Sequence, residues 1–120
     1  MQKVVSHHYK SWQIVLWTLK QLKMRIFYLN RLDDFGKKHS DARKSLGTWK
    51  KIVQLAAWKN KQDVLNDFPN AKMIKNNRAR FKISFNNYRL IVHIRYEEQF
   101  VEIRFIGNHN EYDRINPETI

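Results

Sequence analysis

The chain has 120 residues, with 23 Lys and Arg against 11 Asp and Glu and a formal charge of +12, which is enough chain for one domain around a single modest core. Hydrophobic residues at 42% suffice for globular packing and aromatic residues at 13% argue against a disordered chain, and the lack of any cysteine excludes a disulfide framework, a thiolate zinc site and cysteine catalysis. The cysteine-free composition fits a reducing cytosol, and the charge excess asks for a polyanionic partner: nucleic acid, ribosome, anionic membrane or an acidic protein.

Residues 1–23 open the chain with a short greasy patch, Trp12, Ile14, Val15, Leu16, Trp17 and Leu19, flanked by Lys3, Lys10, Lys20 and Lys23. It falls far short of the ~18 apolar residues of a membrane span, and no small-residue cleavage site follows before Lys20. We read it as an extension upstream of an ordinary start at Met24, with no function assigned; a short helix covering a core edge is the alternative. The domain then runs over residues 24–120. Arg25 to Leu29 reads as a strand. From Leu29 to about His39, Leu32 and Phe35 stand three apart among polar residues, which predicts a helix with one apolar stripe. Ser40-Asp41 is an N-cap candidate for a second helix from about Ala42 to Trp58. Its apolar face comprises Leu46, Trp49, Ile52, Val53, Ala56 and Ala57. Gln62 to Phe68 forms a short helical turn closed by Pro69, and Ala71 to Lys75 a short strand.

Three alternating segments follow. Phe81, Ile83 and Phe85 share one parity, with Arg80 and Lys82 on the other. Leu90, Val92, Ile94 and Tyr96 oppose Arg89, His93 and Arg95, and Val101, Ile103 and Phe105 oppose Glu102 and Arg104. A period of two describes half-buried strands, joined by turns at Asn76-Asn77, Asn86-Asn87 and Glu97-Glu98. The fold class is α+β: two helices packed on one face of a small, mostly antiparallel sheet, with a short C-terminal helical turn. The free face carries Arg80, Lys82, Arg89, Arg95 and Arg104 with His93, and its last strand runs into Gly107-Asn108-His109 beside Glu111, Tyr112 and Asp113. A basic sheet face ending in a His/Tyr turn suggests RNA binding, and RNA cleavage beyond it.

The segments NNRARFKI, YRLIVHIRY, VEIRFIG and NHNEYDRI, in this order behind two helices, resemble the HigB-like toxins of the RelE/ParE superfamily. The resemblance covers Met24 to Ile120. Its most specific mark is IRFIGNHNEYD, in which Asn108 stands where the family usually has threonine. Residues 1–23 have no counterpart in the family. Membership implies a ribosome-dependent endoribonuclease that cleaves mRNA in the cytoplasm. It also implies neutralisation by a cognate, HigA-like antitoxin, a small acidic and DNA-binding protein encoded next to it.

Cleavage by this route uses the substrate's 2′-hydroxyl, and needs proton transfer and stabilisation of a phosphorane but neither metal nor cofactor. His109 is the first choice for general acid or base, since histidine titrates near neutrality. Arg104 is the first choice for charge stabilisation, with Arg89 beside it, because a guanidinium fork matches phosphate oxygens. Tyr112, one helical turn from His109, stacks a base or assists proton transfer. Arg78, Arg80, Lys82, His93 and Arg95 hold RNA. The plainer alternatives are that His109 caps the last helix, that Tyr112 and Asp113 lock the C-terminal turn onto the sheet, and that the cations only solubilise. His109, Glu111 and Asp113 lack a further convergent donor, so a metal site is rejected. Two other functions compete: a non-catalytic RNA- or ribosome-binding module, and a ParE-like inhibitor of a protein target such as gyrase. A membrane-active reading rests on residues 12–19 alone.

Overall fold

In the computed structural model residues 24–120 are described; the expected N-terminal extension lies outside them. The elements are β1 (Arg25–Phe27), α1 (Asn30–Lys38), a 3-10 turn (Ser40–Ala42), α2 (Arg43–Leu55), α3 (Lys61–Asp67), β2 (Lys72–Ile74), β3 (Arg78–Ile83), β4 (Tyr88–Arg95), β5 (Phe100–Asn108) and α4 (His109–Tyr112). The strands form one sheet in the order β1-β5-β4-β3-β2. Three of its pairings are antiparallel, and β1 runs parallel to β5 at the edge. The chain is α+β. Among the described residues no helix is long and apolar enough to cross a membrane.

The alternation along the strands divides the sheet into two faces. Phe81, Ile83, Leu90, Val92, Ile94, Val101 and Ile103 are buried in one core with Leu32 of α1, Leu46, Trp49 and Val53 of α2, Trp58, and Val64 of α3. Phe81 sits in an aromatic cluster, 5.6 Å from Trp49, 6.4 Å from Trp58 and 4.8 Å from Phe68 between ring centroids. Such close packing is the main source of the fold's stability.

The second helix differs from expectation at both ends. Ser40 and Asp41 form the 3-10 turn instead of a cap, and Ala42 precedes α2 with no side-chain capping bond. The Asp41 carboxylate is used elsewhere, accepting the Tyr88 hydroxyl at 2.8 and 3.0 Å. The helix stops at Leu55 because Ala56 turns extended, with φ −80° and ψ 161°. That break swings Trp58 into the core, where its indole N–H donates to the Asp67 carboxylate at 2.9 Å.

The turns follow the sequence in part. Asn76 and Asn77 both adopt left-handed backbone, φ 63° and 59°, which asparagine tolerates and a tight hairpin requires. In the next loop the left-handed residues are Ser84 and Phe85, at φ 54° and 61°, rather than Asn86 and Asn87. Pairing ends at Ile83 opposite Tyr88, and the Ser84 amide is held instead by the Ser45 hydroxyl at 3.0 Å. Phe85, expected on the buried parity, therefore sits at the loop tip, 95% exposed. After Glu97 and Glu98 the left-handed residue is Gln99, whose amide group donates to the carbonyls of Trp58 and Tyr96, both at 2.7 Å.

Strand β5 carries a bulge. Val92 pairs with Ile103 but Ile91 with Phe105, so Arg104 is the extra residue. The shift turns Phe105, expected inward with Val101 and Ile103, to the outer face opposite Ile91, and brings Ile106 against the core.

Candidate active site

The pairing register assembles the expected RNA-binding residues on one wall. Across β3 and β4, Arg78 lies opposite His93, Arg80 opposite Ile91 and Lys82 opposite Arg89. Across β4 and β5, His93 lies opposite Glu102 and Arg95 opposite Phe100. Alternation puts all of them on the face away from the aromatic core. Arg104 joins them from the bulge, because its guanidinium meets the same acceptor as Arg78.

That acceptor belongs to the chain's own C-terminal segment, which crosses the outer face. The main-chain oxygen of Ile120 accepts from Arg78 Nε at 3.1 Å, Arg78 Nη2 at 2.8 Å and Arg104 Nε at 3.2 Å. Asn76 ties the segment down further, donating to the Glu118 carbonyl at 3.0 Å. Two N–H groups of the Arg78 fork thus converge on one oxygen. Ile91, on this outer face, is 0% exposed, and α4 packs on β4 and β5.

The remaining cations differ in their freedom. Arg89 is 7% exposed and donates to the Asn86 carbonyl at 2.9 Å, bracing the β3–β4 loop. Arg80 is half-buried, with its Nε shielded and unpaired, while Lys82 is exposed. His93 Nδ1 lies 3.0 Å from Glu102 Oε1, and Arg95 Nε lies 3.6 Å from the same oxygen. Burial lowers the His93 pKa below the ordinary 6.5; the Glu102 hydrogen bond raises it, and Arg78 and Arg95 push it down again. The Nδ1 side of the ring is thus tied to Glu102 within the sheet.

His109 stands at the end of β5 as the first residue of α4. The helix is capped by Asn108 in a reciprocal box: its side chain accepts from the Glu111 amide at 2.8 Å, and Glu111 accepts from the Asn108 amide at 2.9 Å. The imidazole is thereby relieved of capping. Its side chain is 63% exposed, with Nε2 at 3.3 Å from Asp113 Oδ2 one turn on. Tyr112 is half-buried, its ring 6.3 Å from Phe105. Gly107 makes the approach possible, since a Cβ there would meet Phe105 at 2.8 Å and Glu111 at 3.0 Å.

The expected residues thus fall into groups. His109, Tyr112 and Arg89 (opposite Gly107) gather at one end of β5. Arg104 lies five residues back along the strand, roughly 16 Å at the usual rise, and shares its acceptor with Arg78. His93 and Arg95 share Glu102 further along. Among the described residues no three His, Asp or Glu side chains are placed to hold a metal ion. Two concavities, of about 480 and 410 Å³, open elsewhere, between α1 and α2 and beside the β3–β4 loop.

Sequence reasoning missed two clusters. Tyr88 donates to Asp41, and His39 Nδ1 lies 3.4 Å from the same hydroxyl; the hydrogen bond to Asp41, then burial, raises the Tyr88 pKa above 10.0 and keeps the phenol protonated. These residues come from β4, the 3-10 turn and the residue between that turn and α1, and leave no local pattern. The second cluster is Phe27 and Phe100, stacked at 4.3 Å. Its signal was present in part: Phe27 shares the outward parity with Arg25, whereas Phe100 meets arginine only through pairing.

A search of curated protein sequences found no match to the chain. A family model for HigB_toxin, described as the RelE-like toxic component of a toxin-antitoxin system, matches residues 42–115, a span holding β2 to β5 and the His109 turn. The chain belongs to this family of RelE-like toxins, and a cognate antitoxin is its partner.

Proposed function

We propose that the protein is an endoribonuclease that cuts mRNA on the ribosome through the message's own 2′-hydroxyl, with neither metal nor cofactor. The observation that carries this reading is the exposed imidazole of His109, freed from capping by Asn108, at the rim of a wall bearing Arg78, Arg80, Lys82, Arg89, Arg95 and Arg104. The 2′-oxygen attacks the adjacent phosphorus, a 2′,3′-cyclic phosphate forms, and the bond to the 5′-oxygen breaks. His109 and Tyr112 handle the proton leaving the 2′-hydroxyl and the proton reaching the 5′-oxygen, work worth about 10²–10⁴ in rate per group. Arg104 stabilises the phosphorane's charge, joined by Arg89 once it leaves the Asn86 carbonyl. Arg104 is free to take a phosphate once the Ile120 oxygen gives up its hydrogen bond. Arg78, Arg80, Lys82, His93 and Arg95 position the backbone.

The same reading takes residues 24–120 as the toxin domain in a RelE-like arrangement, with two helices on the inner sheet face. The protein works in the cytoplasm, and its antitoxin is a HigA-like, acidic, DNA-binding protein encoded by a neighbouring gene. The charge of +12 makes an acidic antitoxin a complementary one. Incubating the protein with translated mRNA, with and without ribosomes and in a chelator, tests the proposal. Fragments with cyclic phosphate ends are expected only with ribosomes, and undiminished by the chelator. Binding to ribosomes without fragments would leave a non-catalytic module, and DNA breaks in induced cells would favour a gyrase inhibitor.

A further inference from the structure

At the end of β5 opposite His109, the outer face carries an aromatic pair instead of apolar cover or bare charge. Ile26 packs on the core, so its neighbours on the edge strand, Arg25 and Phe27, point outward. Phe27 stacks on Phe100 with ring centroids 4.3 Å apart and planes 19° from parallel. Arg25 lies 5.4 Å from the Phe27 centroid and 5.8 Å from that of Phe100. Near-equal distances put its guanidinium alongside the stack, so it does not cap the far face of either ring. Phe27 is on the edge strand and 37% exposed. The row Arg25–Phe100–Arg95 sets the aromatic between two cations, and the cations of β3 and β4 continue from it.

We propose that Phe27 and Phe100, flanked by Arg25 and Arg95, form a stacking platform for an unpaired nucleobase of single-stranded RNA. The base lies on the open face of Phe27, and the two guanidinium groups hold the phosphates on either side of it. Aromatic rings set among cations are the footprint of single-strand binding, tolerant of sequence because every base has a π-face. Phe100 is nine residues from His109 along β5, roughly 30 Å at the usual rise. The platform therefore grips the message several nucleotides from the proposed cut and does not touch the reacting atoms. The ligand class rests on the nuclease reading, but the binding can be measured without cleavage.

A fluorescein-labelled 2′-O-methyl oligouridine supplies the probe, since methylation removes the nucleophile and leaves binding alone. Titrated with the full chain, Phe27→Leu should weaken binding about five- to 150-fold, the loss of one base–aromatic stack. Phe27→Trp should bind at least as tightly as the wild type, and neither change should alter the salt slope. A photoreactive 4-thiouridine in the same oligonucleotide should crosslink to Phe27 or Phe100. The proposal is overturned by no binding of the wild type, by Phe27→Leu binding within twofold of it, or by Trp failing as badly as Leu. It is equally overturned if Phe27→Leu loses the antitoxin and keeps the RNA. Wild-type binding with no cut on ribosomes would sink the nuclease reading and leave the platform standing.

Discussion

Strand β4 presents two environments along its eight residues. Leu90, Val92 and Ile94 point into the core and are 0% exposed. Of the alternate residues, which point the other way, Ile91 is covered, while Arg89, His93 and Arg95 meet a loop carbonyl, a carboxylate and solvent. The same backbone hydrogen bonds serve both faces, so the difference lies wholly in the side chains. One face is held by dispersion and the exclusion of water, which salt and pH barely touch. The other is built from charges whose attraction for a polyanion weakens as salt rises. Substitutions on the inner face should therefore change whether the protein folds, and those on the outer face what it does once folded.

The sharpest break between the faces is Phe81→Ala. Removing this ring from among Trp49, Trp58 and Phe68 should cost about 3–5 kcal/mol, read as a lower denaturant midpoint, with activity lost only as the fold is lost. On the outer face Arg104→Ala should behave oppositely. Cleavage of translated mRNA should fall about 10²–10³-fold, while the midpoint shifts little. Lys82→Ala is smaller again: RNA binding should weaken modestly, with the slope of log affinity against log salt flattened by about 0.7 on single strands.

His93 gives the smallest effect and a check on sign. Its pKa is lowered in the fold, chiefly by burial, so the unfolded chain takes up the proton first as pH falls. Stability should be unaffected by this group above its ordinary 6.5 and decline as pH drops below it. An NMR titration should place the His93 midpoint below that of a free histidine, and His93→Gln should flatten the acid side of the stability curve.

The sequence made the division into faces readable because strand alternation is a local signal. Leu90, Val92 and Ile94 announce one face and Arg89, His93 and Arg95 the other, with no need of their partners. What escaped depended on pairing. The bulge at Arg104 adds one residue without marking itself in composition, and it turned Phe105 from the core to the outer face. Phe85 left its expected strand because Ser45, far back in α2, holds the Ser84 amide. The C-terminal segment grips Arg78 and Arg104 through a main-chain oxygen, which no side-chain pattern encodes. The cap on α4 was legible after all: Asn108 followed three residues on by Glu111 is the spacing of a capping box. Asn108 and not the imidazole caps the helix, and the imidazole's local partner is Asp113.

In the proposed mechanism, cleavage turns on the exposed ring of His109 moving a proton at the edge of a cation-lined wall. The direct measurement is single-turnover cleavage of translated mRNA by wild type and His109→Ala, with ribosome binding measured in parallel. A loss of about 10²–10⁴ in rate with binding kept is the predicted result. Cleavage by His109→Ala at the wild-type rate would contradict it.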